Sequence, residues 1–433
     1  MSVRPDEIPA LTGLRFIAAI SVVLSHGLNA MAVHAGADPF WRPWLIYASA
    51  FGMSAFFVLS GFVIHYNYSK TIQDDHWRGG FNFFAARFAR LYPMYFVCVT
   101  WSLYDHGYFF NLIYGSRPED EVLRQNFWLM TPYYLTLTQS WKFSIVQSNA
   151  LIYAYPFSTV AAVSWSVSTE FFFYLAYPVI CLATIQLRRL RQTMGCTVLL
   201  AILALGLMAL AHHYSAAIDR FGVAQFGPIA GEANGFQDSF LRWVIYFAPY
   251  ARLPEFILGC LTAVLYRQAA ARAVSKAEAR FGTAAAGLAV MVVGAMMWVM
   301  SRPSNPWPFL QFLHMNFGFA LPVAVLIFCA ARYRNAISAL LADPAMVRCG
   351  DASYSIYLLH IPIISSMGLD MLAVGQRYDW TSVILLRFAL AVLVTISVSL
   401  VTYRLIEVPA RRALRRLLMI PTPLRIRELP AES

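Results

Sequence analysis

Long apolar runs alternate along the chain with short basic connections, and the runs have the length of membrane crossings. Four windows, 43–69, 194–211, 281–301 and 309–331, contain no Asp, Glu, Lys or Arg. A helix rises about 1.5 Å per residue, so about 20 apolar residues cross the hydrocarbon of a bilayer. Together with the remaining apolar stretches, the pattern predicts helices over about 9–33, 43–66, 88–104, 163–187, 194–213, 243–266, 281–301, 309–331, 353–372 and 382–403. The expected fold is all-α, a polytopic membrane domain over residues 1–415 with about ten crossings and a tail over 416–433. An even number of crossings returns both termini to one side. The connection 105–162 is long, rich in Tyr, Trp and Phe, and contains Glu119-Asp120-Glu121. It reads either as a cap over a site or as an ordinary interfacial loop.

Composition narrows the class. Of the 433 residues, 59% are hydrophobic and 13% charged, against about 25% charged in soluble domains. That leaves too little polar surface for a water-soluble fold and too much apolar content for disorder. The six Cys lie mostly in or beside apolar runs and form no C-x-x-C, and the His show no ligand spacing. Neither a disulfide framework nor a metal site is expected.

The net charge of +11 could suggest a nucleic-acid partner, but its distribution answers differently. Of 33 Lys and Arg, 22 fall in the termini and the connections on their side, and eight fall in the opposite connections. The positive-inside rule then places both termini in the cytoplasm, and no nucleic acid is needed. Ala30-Met31-Ala32 resembles a signal-peptide cleavage site. Arg15 and His26 interrupt that apolar stretch, which favours an uncleaved first helix.

Against so apolar a background, the few ionisable residues inside spans are functional candidates. Arg15 and His26 lie eleven residues apart, which puts them on one helical face about 16 Å from each other. Arg15 suits an anion clamp near the cytoplasmic end or a side chain snorkelling to the interface, and His26 suits a proton acceptor deeper in or a helix-packing hydrogen bond. Arg87 and Arg90, at i and i+3, precede Pro93 and suit phosphate, or serve only as positive-inside residues. The run Ser164-Trp165-Ser166-Val167-Ser168-Thr169-Glu170 sets a carboxylate behind hydroxyls at the mouth of an apolar helix. Glu170 reads as a first-turn carboxylate favoured by the helix dipole, or as an acid–base group with Tyr174 one turn on. Arg252 and Glu255 are spaced for an intramembrane ion pair, and Tyr354, Tyr357 and His360 share a face. His360 fits a packed core histidine equally well.

These residues, in this order, resemble the membrane acyltransferase family 3, bacterial O-acyltransferases of surface and exported glycans. The likeness rests on Leu11-Thr12-Gly13-Leu14-Arg15 through His26, Phe56-Phe57-Val58-Leu59-Ser60-Gly61-Phe62, and Arg87-x-x-Arg90-Leu91-Tyr92-Pro93. Trp165-Ser166-Val167-x-x-Glu170-x-x-Phe173-Tyr174, Ser353-Tyr354-Ser355-Ile356-Tyr357-Leu358-Leu359-His360 and Ile406-Glu407-Val408-Pro409 complete it, so that it covers about residues 8–412. Phe171 and Phe172 stand where many relatives have Glu-Gln, which puts in doubt any mechanism needing two acids there. A chain ending at Ser433 is not expected to carry the hydrolase-like domain fused to some members.

The resemblance implies transfer of an acyl group, usually acetyl, from cytoplasmic acyl-CoA to a sugar hydroxyl of an exported glycan or glycolipid. The enzyme would lie in the bacterial inner membrane among lipids, with acyl-CoA as co-substrate and no bound cofactor. Arg15, Arg87 and Arg90 would hold the donor's phosphates. His26 would be general base or acyl carrier, and Glu170 would orient it or help deprotonate the acceptor. Trp165 would stack on the sugar; Ser166, Tyr174, Arg252, Glu255, Tyr357 and His360 would support the acceptor side. A secondary transporter or flippase is the alternative, although the two similar halves common in such folds are not evident. A non-catalytic scaffold would leave Arg15, His26 and Glu170 without a role. The topology is testable by itself: alkaline phosphatase fused after Ser433 should be inactive, and fused within 105–162 active. The reverse pattern would overturn the orientation.

Overall fold

The computed structural model describes residues 7–34, 42–105, 108–146, 158–234, 236, 239–302, 307–367 and 382–420. Every regular element among them is helical. In lipid each backbone N–H and C=O must be bonded within its own segment, which selects helices for these apolar runs. The longer ones are α1 (Pro9–His34), α2 (Arg42–Asp74), α3 (His76–Asp105), α4 (Pro118–Leu135), α5 (Ser158–Thr184) and α6 (Leu190–His213). They continue with α7 (Pro249–Ala270), α8 (Lys276–Met300), α9 (Ala320–Arg332), α10 (Ser353–Ser366), α11 (Ser382–Thr402) and α12 (Val408–Leu418).

Seven helical stretches among the described residues are long and apolar enough to cross a membrane: Pro9–Leu28, Tyr47–Asp74, Val163–Thr184, Leu190–His213, Phe240–Ala270, Lys276–Met300 and Leu386–Leu418. They coincide with seven of the ten windows read from sequence. The other three windows differ for separate reasons. α3 has the length, at 30 residues, but its first half is charged by Arg78, Arg87 and Arg90. The window 309–331 is not one helix. Pro308 starts a short helix to Leu313, turn residues follow with Phe317 at φ 65°, and α9 begins at Ala320. In the third, α10 ends at Ser366, and residues 368–381 lie outside those described.

The connection expected at 105–162 is largely structured where it is described. Beyond Tyr108–Tyr114 and α4 come short turns at Gln139–Trp141 and Phe143–Val146, while 147–157 lie outside the described residues. It is fastened to α5 by hydroxyls and amides. Gln139 Nε2 donates to the Ser164 carbonyl at 3.0 Å, and the hydroxyls of Ser140 and Ser168 bond at 2.9 Å. Trp243 Nε1 donates to the Ser140 carbonyl at 3.0 Å. Part of the Ser/Thr run before Glu170 therefore anchors this segment.

At the centre, α2 crosses α7 at backbone contact. A Cβ on Gly61 would lie 2.0 Å from the Phe256 carbonyl oxygen, and one on Gly259 would lie 2.0 Å from that of Val58. Small residues at a helix crossing are how membrane helices come close without a hydrophobic driving force. Gly287 on α8, in contrast, faces open space, with no atom within 4 Å of an added Cβ. Gly259→Ala should lower thermal stability in detergent, with an overpacking cost of roughly 1–3 kcal/mol, while Gly287→Ala should not. Equal melting temperatures for the two variants would refute the crossing.

Candidate functional site

Two cavities meet at a ring of arginines. The outer one, about 920 Å³, opens where α1, α2, α3, the short helix Pro344–Asp351 and α12 come together. Its walls carry Arg15, Arg87 and Arg90, and from the C-terminal end of the chain Arg404, Arg411, Arg412 and Arg415. Seven guanidinium groups thus face two carboxylates, Glu7 and Asp351. Burial and the neighbouring Glu7 push the Asp351 carboxyl above the usual carboxylate range, against the pull of Arg15, Arg90 and Arg411. Seven arginines against two carboxylates leave the outer cavity strongly basic.

The inner cavity is small, about 70 Å³, and shares Arg15, Arg87 and Arg90 with the outer one. Ser166, Glu170 and Tyr174 of α5 and Tyr354 and Tyr357 of α10 line its other sides. Each position follows from helical periodicity. On α5 the spacing i, i+4, i+8 sets Ser166, Glu170 and Tyr174 on one face. On α3 the i, i+3 spacing turns both arginines inward. Arg15 lies in the electrostatic reach of Arg87, Arg90 and Glu170, and the Tyr174 hydroxyl donates to Glu170 Oε2 at 3.3 Å. The Arg87 guanidinium stacks 4.6 Å from the Tyr68 ring centre, and its buried Nε has no hydrogen-bond partner among the described residues. A buried unpaired donor in a cavity wall is a place where an anionic ligand would gain energy.

His26 stands beyond this chamber, against α10. Its Nδ1 lies 2.8 Å from His360 Nε2, and the His360 ring is 5.9 Å from that of Tyr357, which lines the inner cavity. The imidazole planes are 16° apart with centres 5.1 Å apart. That centre separation is the N···N distance plus the two ring radii, so the rings meet edge to edge in one plane. His360 is fully buried and bonds through Nδ1 to the Tyr357 carbonyl at 2.6 Å. Arg242, from the turn before α7, reaches His26 electrostatically. No hydrogen bond joins Glu170 to His26 among the described residues; the group that meets the imidazole is His360.

The remaining candidates form the wall behind. Trp165 is 5% exposed, packed against Tyr246 and Phe247 with ring centres 4.9 and 5.1 Å away. It stands behind the chamber in this arrangement. Arg252 and Glu255 form a buried ion pair at 3.2 Å, with side chains 1% and 0% exposed. Ser166 Oγ lies 2.8 Å from the Tyr357 hydroxyl, which itself donates to the Val163 carbonyl at 3.0 Å. That triangle ties α5 to α10. Among the described residues, no group of three or more His, Cys, Asp and Glu is placed to hold a metal.

Sequence reasoning missed the arginines of α12 and the turn before it, counting them among the topology signals. Their pattern was readable, because Arg411, Arg412 and Arg415 at i, i+1 and i+4 make one basic stripe. What brings that stripe to α3 is tertiary. Asn82 Nδ2 donates to the Ile420 carbonyl at 2.9 Å, and Ile420 N donates to Asn82 Oδ1 at 2.8 Å. Ser355 Oγ donates to Glu407 Oε2 at 2.8 Å, holding the start of α12 against α10.

Comparison with known proteins identifies the family of the chain. The model of the acyltransferase domain family, acyltransferase 3, matches residues 8–404. Acyltransferase MdmB of Streptomyces mycarofaciens is 27% identical over 426 residues, covering 96% of this chain and 95% of that protein. O-acetyltransferase OatA of Staphylococcus aureus is 22% identical over 415 residues, 94% of this chain but 58% of that longer protein. Nodulation protein 10 of Rhizobium leguminosarum bv. viciae is 27% identical over 205 residues, 47% of this chain and 50% of its own length. No solved structure matches. With a family match over nearly its whole length, the chain belongs to the acyltransferase 3 family.

Proposed function

We propose that this protein is a membrane O-acetyltransferase that moves an acetyl group from acetyl-CoA to a sugar hydroxyl of an exported glycan or glycolipid. The observation that carries the reading is the pair of cavities joined at Arg15, Arg87 and Arg90. A wide arginine-lined mouth suits the phosphates of a CoA, because guanidinium groups pair bidentately with phosphate oxygens. The small inner chamber is lined by Tyr357, the neighbour of the His360 that meets His26. Arg15 and His26 are eleven residues apart on α1, about 16 Å of helix rise, which an extended pantetheine arm spans. By the positive-inside rule the basic mouth opens to the cytoplasm, where acyl-CoA is made. The acceptor would approach from the opposite side, past Arg242 and the aromatic residues of the 108–146 segment, in a bacterial inner membrane.

In this mechanism the arginines bind and orient the donor, and Glu170 offsets part of their charge when the donor is absent. His26 takes the proton of the acceptor hydroxyl as its oxygen attacks the thioester carbonyl. The C–O bond forms, the C–S bond breaks, and the thiolate recovers the proton from the imidazolium. The names of the relatives, one an O-acetyltransferase and one an acyltransferase, support acetyl and oxygen as the group and the acceptor atom.

Purified protein should transfer or hydrolyse radiolabelled acetyl-CoA, and His26→Ala should abolish this at unchanged thermal stability. A fully active His26→Ala would remove His26 from the chemistry. A wild-type protein that never engages acetyl-CoA would make transport the better reading. Arg87→Ala should raise the donor KM about 10- to 100-fold, since each hydrogen bond between a guanidinium and a phosphate is worth about 1.5–3 kcal/mol. The Arg411/Arg412/Arg415→Ala variant should raise it with kcat little changed. An unchanged KM in both variants would remove the arginine mouth from the donor site.

A further inference from the structure

We infer that His360 fixes the tautomer of His26, and that the reacting atom of His26 is therefore Nε2. The inference rests on the reading of His26 as the proton acceptor, and it adds which nitrogen acts and what holds it.

A chain of hydrogen bonds leads to His26 from a group whose role is fixed. A backbone carbonyl can only accept. The Tyr357 carbonyl lies 2.6 Å from His360 Nδ1, so that nitrogen carries a proton. The ring of His360 is fully buried, and among the described residues no carboxylate contacts it or His26. A second proton there would be a buried charge without a partner, beside a His26 that Arg242 already reaches electrostatically. His360 is thus a neutral imidazole whose Nε2 holds a lone pair. The atom 2.8 Å from that lone pair is His26 Nδ1, which must donate to it. The rings are nearly coplanar, so the bond lies in the plane of both lone pair and N–H. A neutral His26 with its proton on Nδ1 keeps its free lone pair on Nε2.

Access agrees with this assignment. His26 keeps partial exposure while His360 has none, and the Nδ1 edge of His26 is the edge covered by His360. The turn that presents His360 is itself held, because the Tyr357 hydroxyl is bonded to Val163 and Ser166 on α5. Two stretches of sequence that are far apart thereby converge on one proton position. His360 touches no substrate in this scheme; it is a positioning residue that acts through His26.

During transfer the His26 Nδ1–H stays in place. Nε2 accepts the hydroxyl proton while the hydroxyl oxygen forms its bond to the thioester carbon. As the C–S bond breaks, the same Nε2–H returns its proton to the leaving sulfur, so atoms and charge balance within the pair of substrates. The imidazolium formed between these events is met at Nδ1 by a neutral acceptor, which orients the ring.

The test uses the full-length protein in detergent or nanodiscs, with nitrogen-15 labelled histidine. Nuclear magnetic resonance should show His26, assigned by comparison with His26→Gln, protonated at Nδ1 and bare at Nε2. The opposite tautomer in the wild-type protein would overturn the inference whatever the activity. His360→Phe, which keeps a ring but removes the acceptor, should lower kcat by about 100-fold or more at unchanged donor KM, in the range for losing a correctly held base. His360→Gln, whose side-chain oxygen can accept from Nδ1, should recover most of that loss. Wild-type kcat in His360→Phe, or equal loss in His360→Gln and His360→Phe, would also overturn it. An inactive wild type that nonetheless shows the stated tautomer would sink the acetyltransferase reading and leave the tautomer assignment standing.

Discussion

The buried pair between Arg252 and Glu255 is the constraint around which the site wall is organised. Two charges at 1% and 0% exposure are expensive to bury, and their other polar contacts offset that cost in all but one place: Arg252 Nη2 has no hydrogen-bond partner among the described residues. Glu255 takes a hydrogen bond from Ser54 on α2 and one from the Phe317 backbone N–H, at the point where the chain turns at φ 65°. Arg252 donates to the Tyr246 carbonyl at 2.9 Å and lies over the rings of Phe57, Trp165 and Tyr246. Tyr246 belongs to a π-helical turn, Trp243–Phe247, whose Ile245 carbonyl is bonded by Asn316. Irregular backbone at membrane depth survives only where protein satisfies it. Here one ion pair and one amide stabilise both irregularities, the π turn and the break before α9. They also fix the Trp165 wall behind the inner chamber.

Around the arginine ring the electrostatics are unbalanced. The wall pair near Arg252 is matched one to one, whereas the outer cavity sets seven arginines against Glu7 and Asp351. Self-repulsion of that kind costs stability, and helix packing elsewhere must offset it. α12 is kept in place against it by neutral or compensated bonds, the Asn82–Ile420 backbone clamp and the Ser355–Glu407 contact. A polyanion in the mouth would relieve that repulsion. The basic residues that would orient the chain by the positive-inside rule and the ones that would hold the donor are in part the same.

The sequence made legible whatever depends on local pattern. The all-α membrane class followed from apolar runs, and seven of the ten windows correspond to helices long and apolar enough to cross a membrane. Arg15, Arg87, Arg90, Glu170, Tyr174, Ser166 and Tyr357 were singled out separately and line one cavity. Three things resisted. The window 309–331 has the hydropathy of a crossing, and its break is set by Asn316 and Phe317 meeting partners on α7 and the turn before it, which hydropathy cannot register. Arg411, Arg412 and Arg415 carry the same charge as any topology residue, and only the clamp through Asn82 turns them to the cavity. His26 and His360 are separated by 334 residues, and a helical-face argument within α1 or α10 says nothing of their meeting. In each case the missing information is a contact between distant segments.

That last contact bears on why the base would have an imidazole for a partner where hydrolases use a carboxylate. In this protein the position beside His26 is the fully buried one, and a carboxylate there would need its own counter-ion to avoid a large desolvation cost. The nearby carboxylate, Glu170, sits instead with three arginines that compensate it. A neutral imidazole supplies the one thing the base requires, a well-placed acceptor for Nδ1–H, and adds no charge. In the proposed mechanism it would also leave the transient imidazolium without a fixed anion to hold it, easing return of the proton to the leaving sulfur. The division of labour would then follow from the solvent: charge is concentrated at the basic mouth, where an anionic substrate could neutralise it, and proton transfer would be left to uncharged groups deeper in.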